Sequence, residues 1–226
     1  DVSRTTMTTK NKGDALKVNG VKNTVIRRVR AEWTGGSKTS NGAYGLYPVQ
    51  VTNVLIEGSV VKGASDAGIY VGQSNNIIVR DNRAEGNVAG IEIENSNNAD
   101  VYGNTATGNA GGILVFNMPN LPVPGSKTRV FKNQVVANNH ANFGAKGSAV
   151  SSVPAGSGVI VNSNDQVEIF DNDIKDNKTA NVLISSYYST GFDTKRGIAA
   201  AYDPYPENIY VTGNRFSGGG EDPGNP

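Results

Sequence analysis

The sequence predicts an all-β chain that coils as a right-handed parallel β-helix, a single-stranded solenoid of about seven turns. The first observation is an internal repeat, because residues 67–88 (AGIYVGQSNNIIVRDNRAEGNV) align position for position with residues 89–110 (AGIEIENSNNADVYGNTATGNA). A period of 22 residues, with two short alternating runs in each copy, is typical of a solenoid. The second observation is that no stretch shows a sustained 3.6-residue apolar period, so helix content should be minimal. The coil should be right-handed, because crossover connections between parallel strands of one sheet are almost always right-handed.

Each run recurs seven times along the chain. Short runs that alternate apolar and polar residues and favour β-branched side chains are typical of strands. Equivalent strands of successive turns would pair in parallel, about 4.8 Å apart, and their inward residues would form columns. The first run predicts a column of Leu16, Leu46, Ile69, Ile91, Ile113, Val159 and Val182. The second run predicts a column of Ile26, Ile56, Val79, Val101, Val130, Ile169 and Val211.

A recurrent asparagine supports this register. It falls three residues after the second inward position of the second run, at Asn82, Asn104, Asn133, Asn172 and Asn214. Stacked amides at one corner can hydrogen-bond along the axis and satisfy polar groups that would otherwise be buried without partners. Metal or sugar binding is the functional alternative, but an internal asparagine ladder explains the column more simply.

Composition excludes several classes of function. The 226 residues carry a net charge of +1, which gives no concentrated basic character for binding nucleic acid. The chain has no cysteine, so neither a disulfide framework nor a thiolate metal site can form. No apolar run approaches the roughly 20 residues that span a bilayer. The chain opens at Asp1 in polar sequence without a signal peptide, which we interpret as a mature or trimmed chain.

Four insertions interrupt the coil, and function is usually grafted at such places. Residues 33–43 and 137–155 lie between the end of one turn and the first strand of the next. Residues 117–127 and 185–207 lie between first and second strands. We therefore expect one domain over residues 1–217, with loops rising from two corners beside the first strands. Residues 218–226 (GGGEDPGNP) have the composition of a disordered tail.

The face between these corners is unusually apolar for an open solvent face. The outward positions of the first strands are Lys17, Tyr47, Tyr70, Glu92, Leu114, Ile160 and Leu183. One explanation is that the inserted loops cover this face with side chains such as Tyr187, Tyr188, Phe192, Tyr202 and Tyr205. The other is a groove between the loops, lined by tyrosines and carboxylates, that suits an extended polysaccharide.

The pattern G-[IV]-x-[VI]…N-x-[IV]-x-[VI]-x-x-N covers nearly the whole chain, and it resembles bacterial right-handed parallel β-helix repeat proteins. The segments NGAYGLYPVQ, ASDAGIYVGQS, AGIEIENS, GGILVFNMPNLPV and AYDPYPENI look like an exported or lipoprotein-type subfamily whose members are longer at the N-terminus. The resemblance implies an exported protein, periplasmic, extracellular or lipid-anchored. The wider fold group includes pectin and alginate lyases, mannuronan C5-epimerases and carbohydrate-binding proteins, so the fold alone does not fix a reaction.

Lyase and epimerase chemistry needs a base and a cation that stabilises an enediolate-like charge. The Asp-Pro-His-Asp signature of the mannuronan epimerases is replaced here by Asp203-Pro204-Tyr205-Pro206, which lacks the histidine and the second acid. The single histidine, His140, is expected to be an ordinary loop residue. These departures weigh against an epimerase.

Glycoside hydrolysis needs two carboxylates beside a sugar bond. Glu92 and Glu94 are two residues apart on one strand, so they should point to one face about 7 Å apart, a separation within the inverting range. Alternating glutamates are also what a solvated strand carries. Tyr70 could raise the pKa of Glu92 only if the face were desolvated. We expect Asp66 to cap a corner rather than to bind metal.

Three functional interpretations stay open. The first is a non-catalytic module that binds a polysaccharide or a protein partner, but no nucleic acid. The second is a carbohydrate-active enzyme, a lyase, epimerase or hydrolase, with Tyr70, Glu92 and Glu94 as catalytic candidates. The third is a structural or assembly component. No cofactor or metal is expected, although a calcium ion is chemically possible. The candidate ligand-binding residues are Tyr47, Tyr70, Gln73, Glu92 and Glu94.

Overall fold

The computed structural model describes residues 1–10, 12–190 and 201–224, and it folds them into three parallel sheets. Sheet 1 contains the strands of the first run: Leu16–Asn19, Tyr44–Val49, Ala67–Gly72, Ala89–Glu94, Gly111–Phe116, Ser157–Asn162 and Ala180–Ser185. Sheet 2 contains the strands of the second run: Val2–Ser3, Lys22–Arg27, Thr52–Glu57, Asn75–Arg80, Asn97–Tyr102, Ser126–Phe131, Asp165–Phe170 and Tyr210–Thr212. The predicted fold class, an all-β parallel β-helix of about seven turns, is confirmed.

Sheet 3 was not predicted, and the expectation of only two strands per turn is wrong. Its strands are Thr6–Thr9, Arg30–Trp33, Val60–Lys62, Arg83–Glu85, Thr105–Thr107, Gln134–Val136, Asp173–Lys175 and Arg215–Ser217. Most have three residues and send a single side chain inward, as Ala84 and Ala106 do. One inward residue per turn creates no visible alternation, so the period-2 pattern cannot reveal these strands.

The pairing register confirms both predicted columns. In sheet 1, Ile91 lies opposite Ile69 on one side and Ile113 on the other. In sheet 2, Val79 lies between Ile56 and Val101. These six side chains are fully buried and belong to one continuous core along the coil axis, whereas the predicted inward residue Val211 in the last turn is 39% exposed.

The predicted asparagine ladder is also confirmed. The side-chain amide of Asn82 donates to Asn104 Oδ1 at 3.0 Å, and that of Asn104 donates to Asn133 Oδ1 at 3.0 Å. A second ladder lies at the next corner, between sheets 3 and 1, where Asn87, Asn109, Asn138 and Asn177 repeat the same contacts. Each member also donates to a backbone carbonyl, so the amides replace strand pairing at the corners.

The inserted loops leave the coil at the two corners that flank the outer face of sheet 1. Two single-turn 3₁₀ helices, Ala149–Ser152 and Tyr187–Thr190, are the helices of the described residues, and neither is long enough to cross a membrane. At the end of the chain, the N–H groups of Asp222 and Gly224 donate to Lys178 O and Thr179 Oγ1. The disorder expected for residues 218–226 stays a prediction.

Candidate functional site

The outer face of sheet 1 has two halves of different chemistry. In the later turns, the outward side chains Leu114, Phe116 and Ile160 are buried and pack against Val150 and Val153. These two valines belong to the 137–155 insertion and lie at its 3₁₀ turn. The Asn142 amide holds the turn in place by donating to the carbonyls of Val150 and Val153, at 2.9 and 2.8 Å. The later half is therefore covered by the chain itself.

The cover comes from residues other than the tyrosines expected to supply it. Tyr188 and Tyr205 are 61% and 56% exposed, so they do not cover the face. Tyr187 is buried, and Tyr202 packs edge-on against it and donates from its hydroxyl to Asn117 O at 2.7 Å. Phe192 lies outside the described residues. The 185–207 insertion thus packs on the 117–127 loop, whereas the valines of the 137–155 insertion cover the sheet.

The earlier half of the face carries a tyrosine–carboxylate cluster, which we define as Tyr44, Tyr47, Asp66, Tyr70, Glu92 and Glu94. The three tyrosine rings touch one another, with centroid separations of 4.3, 4.6 and 5.1 Å. Tyr70 and Glu92 lie side by side on adjacent strands, as do Gly72 and Glu94. Tyr70 and Glu92 are buried, while the other four members are partly exposed. The cluster therefore has a buried floor and an accessible edge.

A glycine fixes the position of Tyr70. A Cβ atom at Gly72 would lie 2.7 Å from Tyr70 Cζ, so the ring rests on the space above this glycine. In that position the Tyr70 hydroxyl lies close enough to the Glu94 carboxylate to lower its pKa, and it accepts a hydrogen bond from Gln73 Nε2 at 3.2 Å. The absence of a side chain at Gly72 thus brings the candidate residues Tyr70, Gln73 and Glu94 into contact.

Burial perturbs the acid–base behaviour of the cluster. Desolvation first, and then the charges of Asp66 and Glu94, raise the pKa of Glu92 well above its usual range. Desolvation and the charge of Glu94 raise the pKa of Asp66 to about 7, although the Tyr44 hydroxyl opposes this shift by bonding the carboxylate. Desolvation also raises the pKa of Glu94. The desolvated face required for a raised Glu92 pKa is therefore present, with burial as the larger cause.

Two members of the cluster escaped sequence reasoning. Asp66 was expected to cap a corner, and its carboxylate lies close enough to Tyr44 for the hydroxyl to lower its pKa; the capping interpretation stays a prediction. Tyr44 lies opposite Ala67, in a column that continues with Ala89, Gly111, Ser157 and Ala180. One large residue in a column of small ones is the signal that could have identified it.

Charged groups of the first turn border the cluster. Lys17 Nζ lies over the Tyr47 ring, 4.6 Å from its centroid. An Asp14 carboxylate oxygen accepts a hydrogen bond from the backbone N–H of Tyr44 at 3.2 Å. The charge of Asp14 contributes to the raised pKa of Tyr47 and of Asp66.

A second concavity lies on the outer face of sheet 2. It is an open trough of about 730 Å³ whose floor includes Val25, Leu55 and Ile78. One wall is a row of amides with left-handed backbone, among them Asn23, Asn53 and Asn76, which donate to one another. An Asp100–Arg129 ion pair closes the other end. The cluster on sheet 1 is the stronger candidate, because burial raises the pKa values of its carboxyl groups.

Metal-binding chemistry has no preformed site in the described residues, where no three His, Asp or Glu side chains are arranged around one point. His140 lies in the 137–155 insertion and packs edge-on against Phe143, 5.2 Å between centroids. The expectation that the chain needs no metal or cofactor stays a prediction.

Comparisons with known proteins agree on the fold. A family model described as a right-handed β-helix region matches residues 14–220, which supports the predicted handedness. No curated protein sequence matches the chain significantly. Among solved structures, the chain is similar to the A-module of the mannuronan C-5 epimerase AlgE4 of Azotobacter vinelandii, with 19% identity and a TM-score of 0.52. It is also similar to a mutant of the periplasmic alginate epimerase AlgG, with 14% identity and a TM-score of 0.57.

The coverage of these two matches is unequal. The alignments include 89% and 91% of this chain but 54% and 50% of the two epimerase structures. The chain therefore spans about half the length of the structures it matches. At these identities the likeness establishes the coil alone.

Proposed function

We propose, from the premise that this chain belongs to the right-handed β-helix family, that it binds an extended polysaccharide across the outer face of sheet 1. The observation on which the proposal rests is the tyrosine–carboxylate cluster. It lies on a face framed by two pairs of inserted loops, with Tyr47 and Glu94 at its accessible edge. The predicted ligand-binding residues Tyr47, Tyr70, Gln73, Glu92 and Glu94 all belong to this cluster or contact it.

The chemistry of the cluster suits a sugar. Tyrosine rings present flat apolar surfaces together with a hydroxyl, and carboxylates accept hydrogen bonds from sugar hydroxyl groups. Few polar groups, placed among aromatic walls, are what orient a ligand in most binding sites. Successive strands lie about 4.8 Å apart, so the face offers repeated contacts along an extended chain.

A carbohydrate-active enzyme is the second candidate, and the raised pKa values favour it. A carboxyl group that stays protonated near neutral pH can act as a general acid. Glu92 would be that acid, and Glu94 or Asp66 would be the second carboxylate. Both solved structures above are named as epimerases of mannuronan or alginate, so polymer chemistry is compatible with this coil.

Export would follow from a polysaccharide partner outside the cytoplasm. One solved neighbour is described as periplasmic, which agrees with the exported location proposed here. Cell fractionation of the full-length protein, with a cytoplasmic enzyme as the marker, tests this proposal. Recovery of the protein with the cytoplasmic marker would contradict it.

The binding proposal is tested on a glycan array, followed by calorimetry with each glycan that binds. Tyr47→Ala and Glu94→Gln should each weaken binding at least about tenfold, which corresponds to about 1.4 kcal/mol. Glu168→Gln is the matched control, because Glu168 is an exposed glutamate on the outer face of sheet 2. Unchanged affinity in both cluster variants would refute the proposed face.

Product analysis separates binding from catalysis. Incubation of the bound glycan with the protein should leave both its chain length and the configuration of its sugars unchanged if the protein only binds. New reducing ends would show hydrolysis, whereas a new absorbing double bond would show elimination from a uronate. Loss of either product in Glu92→Gln, with binding retained, would assign the reaction to the cluster.

A further inference from the structure

We infer that the polysaccharide recognised by the tyrosine–carboxylate cluster bears ammonium groups, as a polymer of amino sugars does, rather than carboxylates. The inference rests on the proposed polysaccharide binding and names the class of its ligand. It differs from the substrates named for the two solved neighbours, which are uronate polymers.

The charge of the site is the first reason. Four carboxylates act on it: Asp14, Asp66, Glu92 and Glu94. The charges that shift the pKa values of its tyrosines and carboxylates come from these acids and from neighbouring tyrosines, and Lys17, over the Tyr47 ring, is a cation at the edge of the site. A uronate would add a like charge to this site and be repelled, whereas a cation would be attracted.

The second reason is a buried acceptor without a donor. Glu92 is 5% exposed, and its Oε2 atom has no hydrogen-bond partner among the described residues. Its carboxylate lies close enough to Asp66 and Glu94 for their charges to raise its pKa. Buried acceptors are normally satisfied, and charged donors form the stronger hydrogen bonds. An ammonium group supplies three donors and the opposite charge.

The third reason is that the cluster already accommodates an ammonium. Lys17 Nζ lies over the Tyr47 ring at 4.6 Å from the centroid, which is the geometry of a cation–π contact. Two further rings, Tyr44 and Tyr70, adjoin that of Tyr47. The aromatic surface at the accessible edge is therefore suited to a second cation from a ligand.

Binding of a cation should release protons from the carboxyl groups of the cluster, whereas binding of a neutral sugar through hydrogen bonds should not. The ionisable groups that face Asp66 and Glu92 are Asp14, Lys17, Tyr44, Tyr47, Tyr70 and Glu94. Near neutral pH burial keeps part of the carboxyl set protonated. An ammonium favours the charged carboxylate, so its binding should release protons.

The test compares three oligosaccharides of equal length by calorimetry at about pH 5.5, where the amino groups of glucosamine are charged: oligomers of glucosamine, of N-acetylglucosamine and of mannuronate. The first two share a backbone and differ in charge. We expect the glucosamine oligomer to bind at least about tenfold more tightly than its acetylated counterpart, with measurable proton release in buffers of different ionisation enthalpy. The overall net charge of +1 gives no general attraction for a polycation.

Three variants locate the effect. Glu92→Gln and Glu94→Gln should remove most of the preference for the glucosamine oligomer, and Glu168→Gln should retain it. Glu94 is partly exposed, so its variant keeps the test valid if the buried substitution impairs folding. Thermal unfolding of each variant checks that it is folded.

The outcomes separate the two proposals. Equal or tighter binding of the acetylated or mannuronate oligomer overturns the ammonium inference, while the proposed function stands if the cluster variants weaken that binding. Proton release that persists in both cluster variants also overturns the inference. If no polysaccharide binds in the glycan array or in solution, both proposals fail.

Discussion

The chain buries polar side chains in two places, and the two differ in how completely they are satisfied. In the asparagine ladders, Asn87, Asn104 and Asn109 are almost fully buried, and each amide donates to a neighbouring amide and to a backbone carbonyl. In the tyrosine–carboxylate cluster, Glu92 is equally buried but has an oxygen without a described partner.

This difference in hydrogen bonding indicates that the ladders and the cluster serve different roles. A polar group whose hydrogen bonds are complete adds to the stability of the folded state, because removing it leaves its neighbours without partners. A buried carboxyl group that lacks a donor and repels other acids lowers that stability. We interpret the ladders as structural and the cluster as a site held ready for a ligand.

The largest effect is expected in the ladder. Asn104→Ala should lower the free energy of unfolding by about 3 to 5 kcal/mol, because it removes four side-chain hydrogen bonds and leaves the buried backbone N–H of Asn82 without its acceptor. Urea denaturation measures the change. The control is Asn75→Ala, an exposed asparagine, whose cost should stay below about 1 kcal/mol. If Asn104→Ala and Asn75→Ala lowered the free energy of unfolding equally, the ladder would not be more important for stability than an exposed asparagine.

The next effect is a dependence of stability on pH that comes from the cluster. The pKa of Asp66 is raised from 3.8 to about 7 in the folded state, so between these values the folded protein binds more protons than the unfolded chain. The stabilisation that the folded protein gains from protonated Asp66 is therefore fully present below about pH 4, and it is lost as the pH rises to about 7. The loss should be on the order of 2 to 4 kcal/mol.

Urea denaturation at several pH values measures this slope. Asp66→Asn should flatten it, while Asp100→Asn, an acidic residue paired with Arg129 on sheet 2, should not. Because Glu92 and Glu94 also have raised pKa values, a residual slope is expected in Asp66→Asn. A wild-type stability that increases between pH 4 and 7 would contradict the linkage.

A smaller effect of opposite sign is expected at Glu92. Glu92→Leu should raise the free energy of unfolding by about 1 kcal/mol, since replacing a buried carboxyl group that lacks a hydrogen-bond partner by an apolar group of similar size is often stabilising. The same variant should lose ligand binding. Thermal unfolding and calorimetry measure the two results. A destabilisation as large as that of Asn104→Ala would mean that Glu92 is structural.

The smallest effect is expected at Gly72. Gly72→Ala should cost about 1 kcal/mol of stability, because displacing the buried Tyr70 ring costs about 1 to 3 kcal/mol and the reduced freedom of the unfolded chain offsets part of that cost. Displacement of the Tyr70 ring should nevertheless weaken ligand binding several-fold. Gly13→Ala is the control, because a Cβ there meets nothing within 4 Å. If Gly72→Ala bound the ligand as tightly as the wild type, the position of the Tyr70 ring would not matter for binding.

Much of the coil was predictable from sequence because stacked turns repeat their chemistry. Inward columns such as Ile69–Ile91–Ile113, and the Asn82–Asn104 ladder, leave a 22-residue period that one sequence displays. Sheet 3 was not predictable, because a strand with one inward residue, such as Ala84, has no alternation. The second ladder at Asn87 and Asn109 was visible in the aligned repeats, but its role required the corner geometry.

The candidate site was predictable only in part. Alternation placed Tyr47, Tyr70, Glu92 and Glu94 on one outer face, and the structure brings them together. Alternation could not show which loop covers the neighbouring half, because Val150 and Val153 look like ordinary loop residues. It also could not show that Asp66 and Tyr44 meet, since that contact depends on how two successive turns stack.

The ladder spacing has a consequence for how the chain folds. Between successive ladder members the chain covers 22 residues from Asn82 to Asn104, but 29, 39 and 42 residues across the later turns. Closing the 42-residue segment costs about 0.6 kcal/mol more chain entropy than closing the shortest one. We therefore expect the turns around Asn82 and Asn104 to nucleate folding, with later turns added one by one onto their open edges. The same residues that support the cluster would then be the first part of the molecule to acquire its native structure.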